Sequence, residues 1–536
     1  MKTIIFIFLI ALTVVCRSQI IQEQSYVQQV WKEEFGGEEL MDMVTDNAGN
    51  VYITGSVSDL NYDWVTIKYS PTGERLWFTD FSGNHADIPH AIAVDNLGNV
   101  YVTGESYYLT SDFYTVKYNS AGVEQWANRY GGPGNDIAYS IALDENRNVY
   151  VTGGDMNSYG NLDCVTLKYT PGGTLVWEKK YESPNNGNDK GTSVAVDIYG
   201  SIYVAGRTEN PGTGYDYLVL KYNSSGVQQW VRTYDGLGHG SDMIRKMVLT
   251  SNAVYVTGYS DGEGTGKDYL TIKYNLTGGL YYAKRYNGPS NDEDRGESLV
   301  VDNTGNAYVT GYSKSNTGFD YATVKYNSMG ALQWLNREDG VNHTDDYARD
   351  IAIDGDGDIY VTGEFKKADD DYQLATVKYS SSGTQKWLKK LYYPGKTSEG
   401  RKIIVDASEN IYIGGMTDLP GTQHGFYNEF LVVKYIQSPY LIQSRIEMPS
   451  TFSLSQNFPN PFNPVTKISF SIPNNSYTKL VVFDISGKQV AELVDNELDA
   501  GTYNIDFDGS SLASGTYFYR ITSGDFTDVR KMVLVK

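Results

Sequence analysis

Cysteine is almost missing from this chain, with two in 536 residues, Cys16 and Cys164. Cys16 falls in an apolar leader, so only Cys164 would remain after processing, and no intramolecular disulfide can staple the fold. Histidine is scarce too. Of the five, His85, His90, His239 and His343 fall before apolar runs of non-adjacent repeats, with His424 further on, a spacing that argues against a histidine metal centre. Positive charge is in deficit, 44 Lys and Arg against 65 Asp and Glu for a net −21, which excludes nucleic acid and anionic membrane surfaces as partners. No Gly-rich loop opens a helix, and there is no nucleophile elbow and no zinc spacing. The sequence therefore offers no catalytic residues, no cofactor and no metal-ligating set. Beyond the leader, no stretch is apolar and long enough to span a bilayer.

The leader itself, residues 1–18, has Lys2 before the apolar run Ile4 to Val15 and then Cys16-Arg17-Ser18, the layout of a secretory signal peptide.

What the chain has in abundance is Tyr (46) and Gly (55), which suit short strands and tight turns. They recur in one phrase, clearest at Val149-Tyr150-Val151-Thr152-Gly153 followed by Lys168-Tyr169. Its tyrosine returns at Tyr52, Tyr101, Tyr150, Tyr203, Tyr255, Tyr308, Tyr360 and Tyr412. A period near fifty built of short β-branched and aromatic runs predicts a β-propeller with one four-stranded blade per repeat. Residues 19–436 would form that domain. In each repeat an apolar strand a meets a turn such as Asn96-Leu97-Gly98-Asn99, strand b is the Val-Tyr-Val-Thr-Gly run, strand c ends in Lys-Tyr, and strand d carries Trp77, Trp126 or its equivalent. The eighth repeat lacks a strand d, and a spare one containing Trp31 precedes the first. A ring leaves no open sheet edge, so the Trp31 strand is expected to complete the last of eight blades. Seven blades with a dangling repeat is the alternative.

By the Asp-x-x-Gly-Asn turn, Val-Tyr-Val-Thr-Gly and Lys-Tyr-Asn-Ser-x-Gly, these repeats resemble the family called seven-bladed beta-propeller repeats, although here there are eight copies. That resemblance implies a fold and an exported bacterial protein, and no single activity.

Residues 437–450 break the period and read as a linker. In 451–536 six strand-like runs separated by Gly- and Asn-bearing turns predict a small Ig-like β-sandwich, all-β like the propeller. Phe458-Pro459-Asn460-Pro461-Phe462-Asn463-Pro464, the run Leu512-Ala513-Ser514-Gly515-Thr516-Tyr517-Phe518-Tyr519 and the end Arg530-Lys531-Met532-Val533-Leu534-Val535-Lys536 closely resemble the C-terminal sorting domain of the type IX secretion system. Gly515, Tyr517, Arg530, Lys531 and Lys536 are the positions that carry the match. The resemblance implies the secretion machinery as a partner and delivery to the surface, or release, of a Bacteroidetes-like bacterium.

For binding, the variable b–c and d–a loops share one face of the disc, the expected seat of function on a rigid scaffold. At that face an acid stands eight residues before the end of strand a: Glu38, Asp87, Asp136, Asp189, Asp242, Asp294 and Asp346, with Ser398 in the last repeat. These acids either ring the channel mouth as a cation or polycation site, or each caps its own loop by accepting backbone N–H bonds. A second acid series opens strand c at Asp63, Asp112, Asp163, Asp216, Asp268, Asp320 and Glu429. Asp354-Gly355-Asp356-Gly357-Asp358 lacks the later ligands of a calcium loop and reads as a turn variant. Together these features predict a secreted or cell-surface, non-enzymatic module for an extracellular protein or glycan. The alternative is a polysaccharide lyase or hydrolase with its site at the channel mouth.

Overall fold

The computed structural model describes residues 23–57, 63–81, 86–340, 343–367, 371–391, 396–418, 427–444, 449–498, 500–510 and 512–536. The leader, His85 and His424 lie outside the described residues. The chain divides into two compact units, with Val27–Gln437 in one and Ser438–Lys536 in the other.

The first unit is a propeller of eight four-stranded antiparallel blades. Blade three shows the pattern: strand a is Ile137–Leu143, b is Val149–Met156, c is Leu162–Tyr169 and d is Leu175–Tyr181, paired in that order. Strands a of successive blades touch one another and line the channel, as Met243–Leu249 of blade five does with its neighbours on either side. Strands b and c are buried on both faces because each blade is sandwiched between two others; Tyr150, Val151 and Val165 have no exposed surface. Cys164 is buried in the same inter-blade core, and burial drives its thiol pKa upward, so it is an inert apolar filler.

The repeated motifs have local causes. In the a–b turn of blade two, Asp95 Oδ1 accepts the N–H groups of Leu97 and Asn99, while Oδ2 accepts Asn99 Nδ2 and the Tyr101 hydroxyl at 3.0 Å. One carboxylate thus ties the turn to the tyrosine of strand b. Asp354-Gly355-Asp356 makes the same turn, with Asp354 accepting from Asp356, Asp358 and Tyr360. The c–d turn works between blades. Gly122 has φ +81°, and a Cβ there would stand 2.8 Å from the Trp77 ring of the preceding blade. The Trp77 indole N–H donates to Ser120 O at 3.1 Å, and Lys68, above the Tyr52 ring at 5.0 Å, reaches the same carbonyl. The Lys-Tyr lysines therefore bind the neighbouring blade's turn.

Closure follows the same rule. The strand Glu23–Gly36 pairs with Tyr427–Ser444 to supply the missing outer strand of blade eight. Trp31 donates to Pro71 O at 3.0 Å, and Lys434 reaches that carbonyl at 3.1 Å. These are the contacts Trp77 and Lys68 make one blade further on, so the ring has eight blades. Blade eight has no c–d turn of its own, and among the described residues the Trp387 indole N–H of blade seven finds no acceptor. Lys378 turns instead to Asp358 and Gln437.

The second unit is an Ig-like sandwich. One sheet runs Gln489–Leu498, Ser476–Phe483, Gly515–Ser523, Phe526–Leu534; the other joins Ser453–Leu454, Val465–Ile472 and Gly501–Asp508. Residues 437–450, read as a linker, include Leu441 to Ser444, which pair with Thr502 to Ile505. Ile468, Leu480, Tyr519, Ile521 and Met532 fill the core. No helix of the described residues is long and apolar enough to cross a membrane.

Candidate functional site at the channel mouth

Asp87, Asp136, Asp189, Asp242, Asp294 and Asp346 are fully buried and do not line the channel surface. In blade seven Asp346 Oδ2 accepts Gly340 N–H at 2.5 Å and Oδ1 accepts Lys366 N–H at 2.9 Å. Asp136 does the same with Gly132 and Met156, Asp242 with Gly236 and Asp261, and Asp294 with Gly288 and Lys314; Asp189 accepts Ser183 N–H. Asp136, Asp242, Asp294 and Asp346 each clamp the d–a loop to the end of strand b, which is the capping alternative. Ser398 is equally buried, and its Oγ accepts Leu374 N–H. Glu38 is half-buried. Burial raises Asp294 and Asp346 to about 6, and burial with the neighbouring Asp155 raises Asp136 to about 7.

The mouth is built instead from the residues just C-terminal to those acids. Every strand a carries a one-residue bulge at its start, as between Ala138 and Ser140 or Ile244 and Lys246, and bulges re-aim side chains at barrel and sheet rims. The extra residues are Met41, His90, Tyr139, Thr192, Arg245, Glu297, Arg349 and Arg401. Beside each stand the residue after the clamp acid and the residue after the strand-b glycine, paired as Lys190 with Arg207, Met243 with Tyr259 and Arg295 with Tyr312. Unlike the buried layers, these positions do not repeat in type.

They touch from blade to blade. His90 lies 5.4 Å from the Tyr139 ring and 3.4 Å from Glu105, and Lys190 sits over Tyr139 at 4.2 Å. Arg245 pairs with Glu297 at 3.3 Å, Arg295 covers Tyr259 at 4.9 Å, and Tyr312 meets Tyr347 edge-on. Arg349 forks onto Glu364, and Arg401 onto Glu399 and Glu39. His90 is thus a strand residue of the mouth, whereas His239 and His343 lie in loops against Asp235 and Asp339.

Most of these cations are neutralised, and two are not. Among the described residues neither Lys190 nor Arg207 forms an ion pair with a carboxylate. Lys190 has Tyr139 beneath it, and Arg207 stacks on Tyr215 at 4.0 Å with its Nε buried and unpartnered. Burial, then Arg207 and Arg245, push Lys190 down to about 8. Lys190 and Arg207 are thus two half-buried cations on aromatic faces with no carboxylate counter-ion among the described residues. Sequence reasoning missed them because it followed the acid that recurs; the signal was the absence of recurrence one and three residues later.

Residues 456–536 match the family described as the secretion system C-terminal sorting domain. The β-propeller repeat family matches at 76–107, 125–153, 284–320 and 340–364, from outer strands or d–a loops of one blade into the next. The chain is a β-propeller joined to a secretion sorting domain. Its C-terminal sorting domain marks it as a secreted or surface protein. No curated protein matches it significantly. Solved structures of similar fold include Sqt1 from Chaetomium thermophilum (11% identity, 77% of this chain and 100% of that one, TM-score 0.47). PorZ, a surface component of the type IX secretion system of Porphyromonas gingivalis, shares 12% identity over 93% of this chain and 70% of its own, TM-score 0.36. The propeller of the Trilobed protease from Pyrococcus furiosus has 7% identity over 67% and 98%, TM-score 0.37.

In the sorting domain, Gly515 opens its strand at the surface, and the Tyr517 ring is buried with its hydroxyl donating to Ala513 O at 2.8 Å. Arg530 donates to Leu454 O and pairs with Asp528. Lys531 is exposed, and Lys536 donates to Ser510 O. Arg530 and Lys536 therefore tie the last strand to its own sandwich, and Lys531 projects its charge to solvent.

Proposed function

We propose that this protein is an extracellular binding module that takes an anionic polysaccharide, uronate-bearing or sulfated, at the channel mouth, and that its C-terminal domain engages the type IX machinery for export. One observation carries the ligand class: Lys190 and Arg207 stand on Tyr139 and Tyr215 with no carboxylate to neutralise them. In a chain of net charge −21, an uncompensated positive pair concentrates an anion against the field of the rest of the surface.

The test is binding of the full-length protein to polygalacturonate, heparin and neutral dextran. Binding to the acidic polymers, weakened by salt and reduced about tenfold or more by Lys190→Ala with Arg207→Ala, agrees with the loss of two charge-assisted contacts. Equal binding of dextran, or acidic binding indifferent to both substitutions, overturns the reading. A second reading, a polysaccharide lyase, draws on the Lys190 amine held near 8: neutral Lys190 would take the proton beside the uronate carboxylate, the bond to the leaving sugar oxygen would break, and that oxygen would take a proton from water. An ultraviolet-absorbing unsaturated product decides for it.

A further inference from the structure

Between blades four and five the repeat breaks in a way that leaves negative charge unmet. Where strand c opens, a buried aspartate faces the clamp aspartate of the next blade, and in blades two, five and six strand d supplies an arginine three residues after its aromatic anchor, whereas blades one and eight carry Asp80 and Glu34 at that place. Arg129 pairs with Asp112 in blade two, Arg285 with Asp268 in blade five at 2.8 Å, and Arg337 with Asp320 in blade six at 2.6 Å. In blade four that place is taken by Thr233, three after Trp230. Asp216 there is 4% exposed, and its Oδ2 has only the neutral partners Asn210 and Thr213.

A third carboxylate joins it. Carboxylate oxygens of Asp216, Asp235 and Asp242 lie within 4.8 Å of one another. Blade six is an internal control, because it has the same three acids at Asp320, Asp339 and Asp346 and the same histidine, with His343 on Asp339 as His239 is on Asp235. There Arg337 is present, and those acids do not gather into such a group. Arg285, beyond Ser260, is already committed to Asp268.

A second observation also points to a ligand. Asp216 Oδ1 is buried and has no hydrogen-bond partner among the described residues, and Asp235 Oδ1 is likewise unpartnered. Asp112, Asp268 and Asp320 leave the same oxygen unpartnered, but in each the arginine on the other oxygen neutralises the group. Blade two shows where that oxygen faces. A Cβ on Gly131, the counterpart of Asp235, would meet Asp112 Oδ1 at 2.3 Å and Asp136 Oδ2 at 2.7 Å. By that correspondence the orphaned Oδ1 of Asp216 is aimed at Asp235 and Asp242.

We propose that a calcium ion occupies this place, held by Asp216, Asp235 and Asp242, and replaces the arginine of the sister blades. The donor set is all oxygen, and oxygens that lie within 4.8 Å of one another can share one ion at Ca–O distances of about 2.4 Å. Magnesium, which demands shorter bonds and near-octahedral geometry, fits a set of fixed strand and loop carboxylates less well. The ion would pin the d–a loop of blade five, next to Met243, on which Arg207 rests.

Calorimetric titration of the chelator-treated full-length protein with calcium chloride tests this. One equivalent should bind and raise the melting temperature, with magnesium much weaker. Asp235→Asn should weaken binding about tenfold or more, since one of three charged ligands is lost. Asp339→Asn, the matching change in blade six, should leave it intact. Thr233→Arg restores the sister arrangement, so it should abolish binding while raising the melting temperature in chelator. No calcium uptake by the parent protein overturns the proposal, as does uptake that survives both Asp235→Asn and Thr233→Arg. Because these variants leave Lys190 and Arg207 untouched, failure here is separable from failure of polysaccharide binding.

Discussion

Trp31 offers the sharpest test of how the ring is closed. Its side chain is 9% exposed, lies 6.3 and 6.4 Å from the rings of Tyr69 and Tyr412, and donates to Pro71 O. Trp31→Ala removes a large buried aromatic and one inter-blade hydrogen bond, a loss of about 3–5 kcal/mol. The propeller unit spans Val27–Gln437, and at about 2.1 cal/mol/K per residue its unfolding entropy is near 0.9 kcal/mol per degree, so the expected shift is roughly 3–6 °C. Trp126→Ala is the proper standard, for Trp126 sits in the same slot of blade two between Tyr101 and Tyr169 and donates to Pro171 O. The two should cost about the same locally and differ in what opens. Strand d of blade two is held by chain at both ends, whereas the Trp31 strand is held to blade eight by pairing alone. Hydrogen exchange should therefore rise selectively in Tyr427–Ser444 and Glu39–Thr45 for Trp31→Ala, and not for Trp126→Ala. A shift under about 1 °C for Trp31→Ala with a normal loss for Trp126→Ala would refute the closure, since a dangling repeat would give that result.

Two more predictions rest on buried geometry. Gly122→Ala forces a non-glycine residue to φ +81° with its Cβ 2.8 Å from the Trp77 ring; about 1–2 kcal/mol of backbone strain plus displacement of the indole should appear in urea unfolding, while Gly355→Ala, in open space, should be near neutral. Asp136, Asp294 and Asp346 have folded pKa values raised to about 7, 6 and 6, so the native state holds protons that the unfolded chain has released between about pH 4 and 7. Their contribution is fully present below about pH 4 and is lost as pH rises through 6 to 7, of the order of 3 kcal/mol each. Calorimetry at fixed ionic strength should show a lower melting temperature at pH 8 than at pH 5, with Asp136→Asn flattening the slope; a melting temperature that rises over that interval contradicts the assignment.

The architecture was legible because the same contact is written once per blade. A tyrosine six residues after an aspartate recurs because its hydroxyl binds that carboxylate, as Tyr150 does Asp144 at 3.0 Å. A glycine in the c–d turn recurs because the previous blade's indole lies where a Cβ would be. Trp31 could be placed in blade eight from the count of strands alone. The mouth was not legible for the converse reason. Its residues are set by a bulge, visible only as a register shift between Gly191 and Ser193 or Gly296 and Ser298, and the bulge shifts which residue faces the channel. Following the acid that recurs therefore leads to Asp189 and Asp242, which the fold buries, and away from Lys190 and Arg245.

Periodicity thus separates two kinds of residue. Whatever recurs in every blade answers a need every blade has, which is to satisfy a turn, fill a wedge or tie a loop, and these carboxylates spend their oxygens on backbone N–H groups. A ligand imposes no such need eightfold, so its residues show up as departures. Thr233 departs from Arg129, Arg285 and Arg337, as Asp80 and Glu34 do in blades one and eight; Lys190, like Arg295, departs from Ile88, Ile137 and Met243 at the same place beside the clamp acid. Both departures fall at blade four, and each leaves a charge that its own blade does not neutralise, positive at the mouth and negative behind it. A propeller that only spaced other domains would have no reason to keep two uncompensated charges of opposite sign on one blade, since each costs stability when half-buried or buried without a partner.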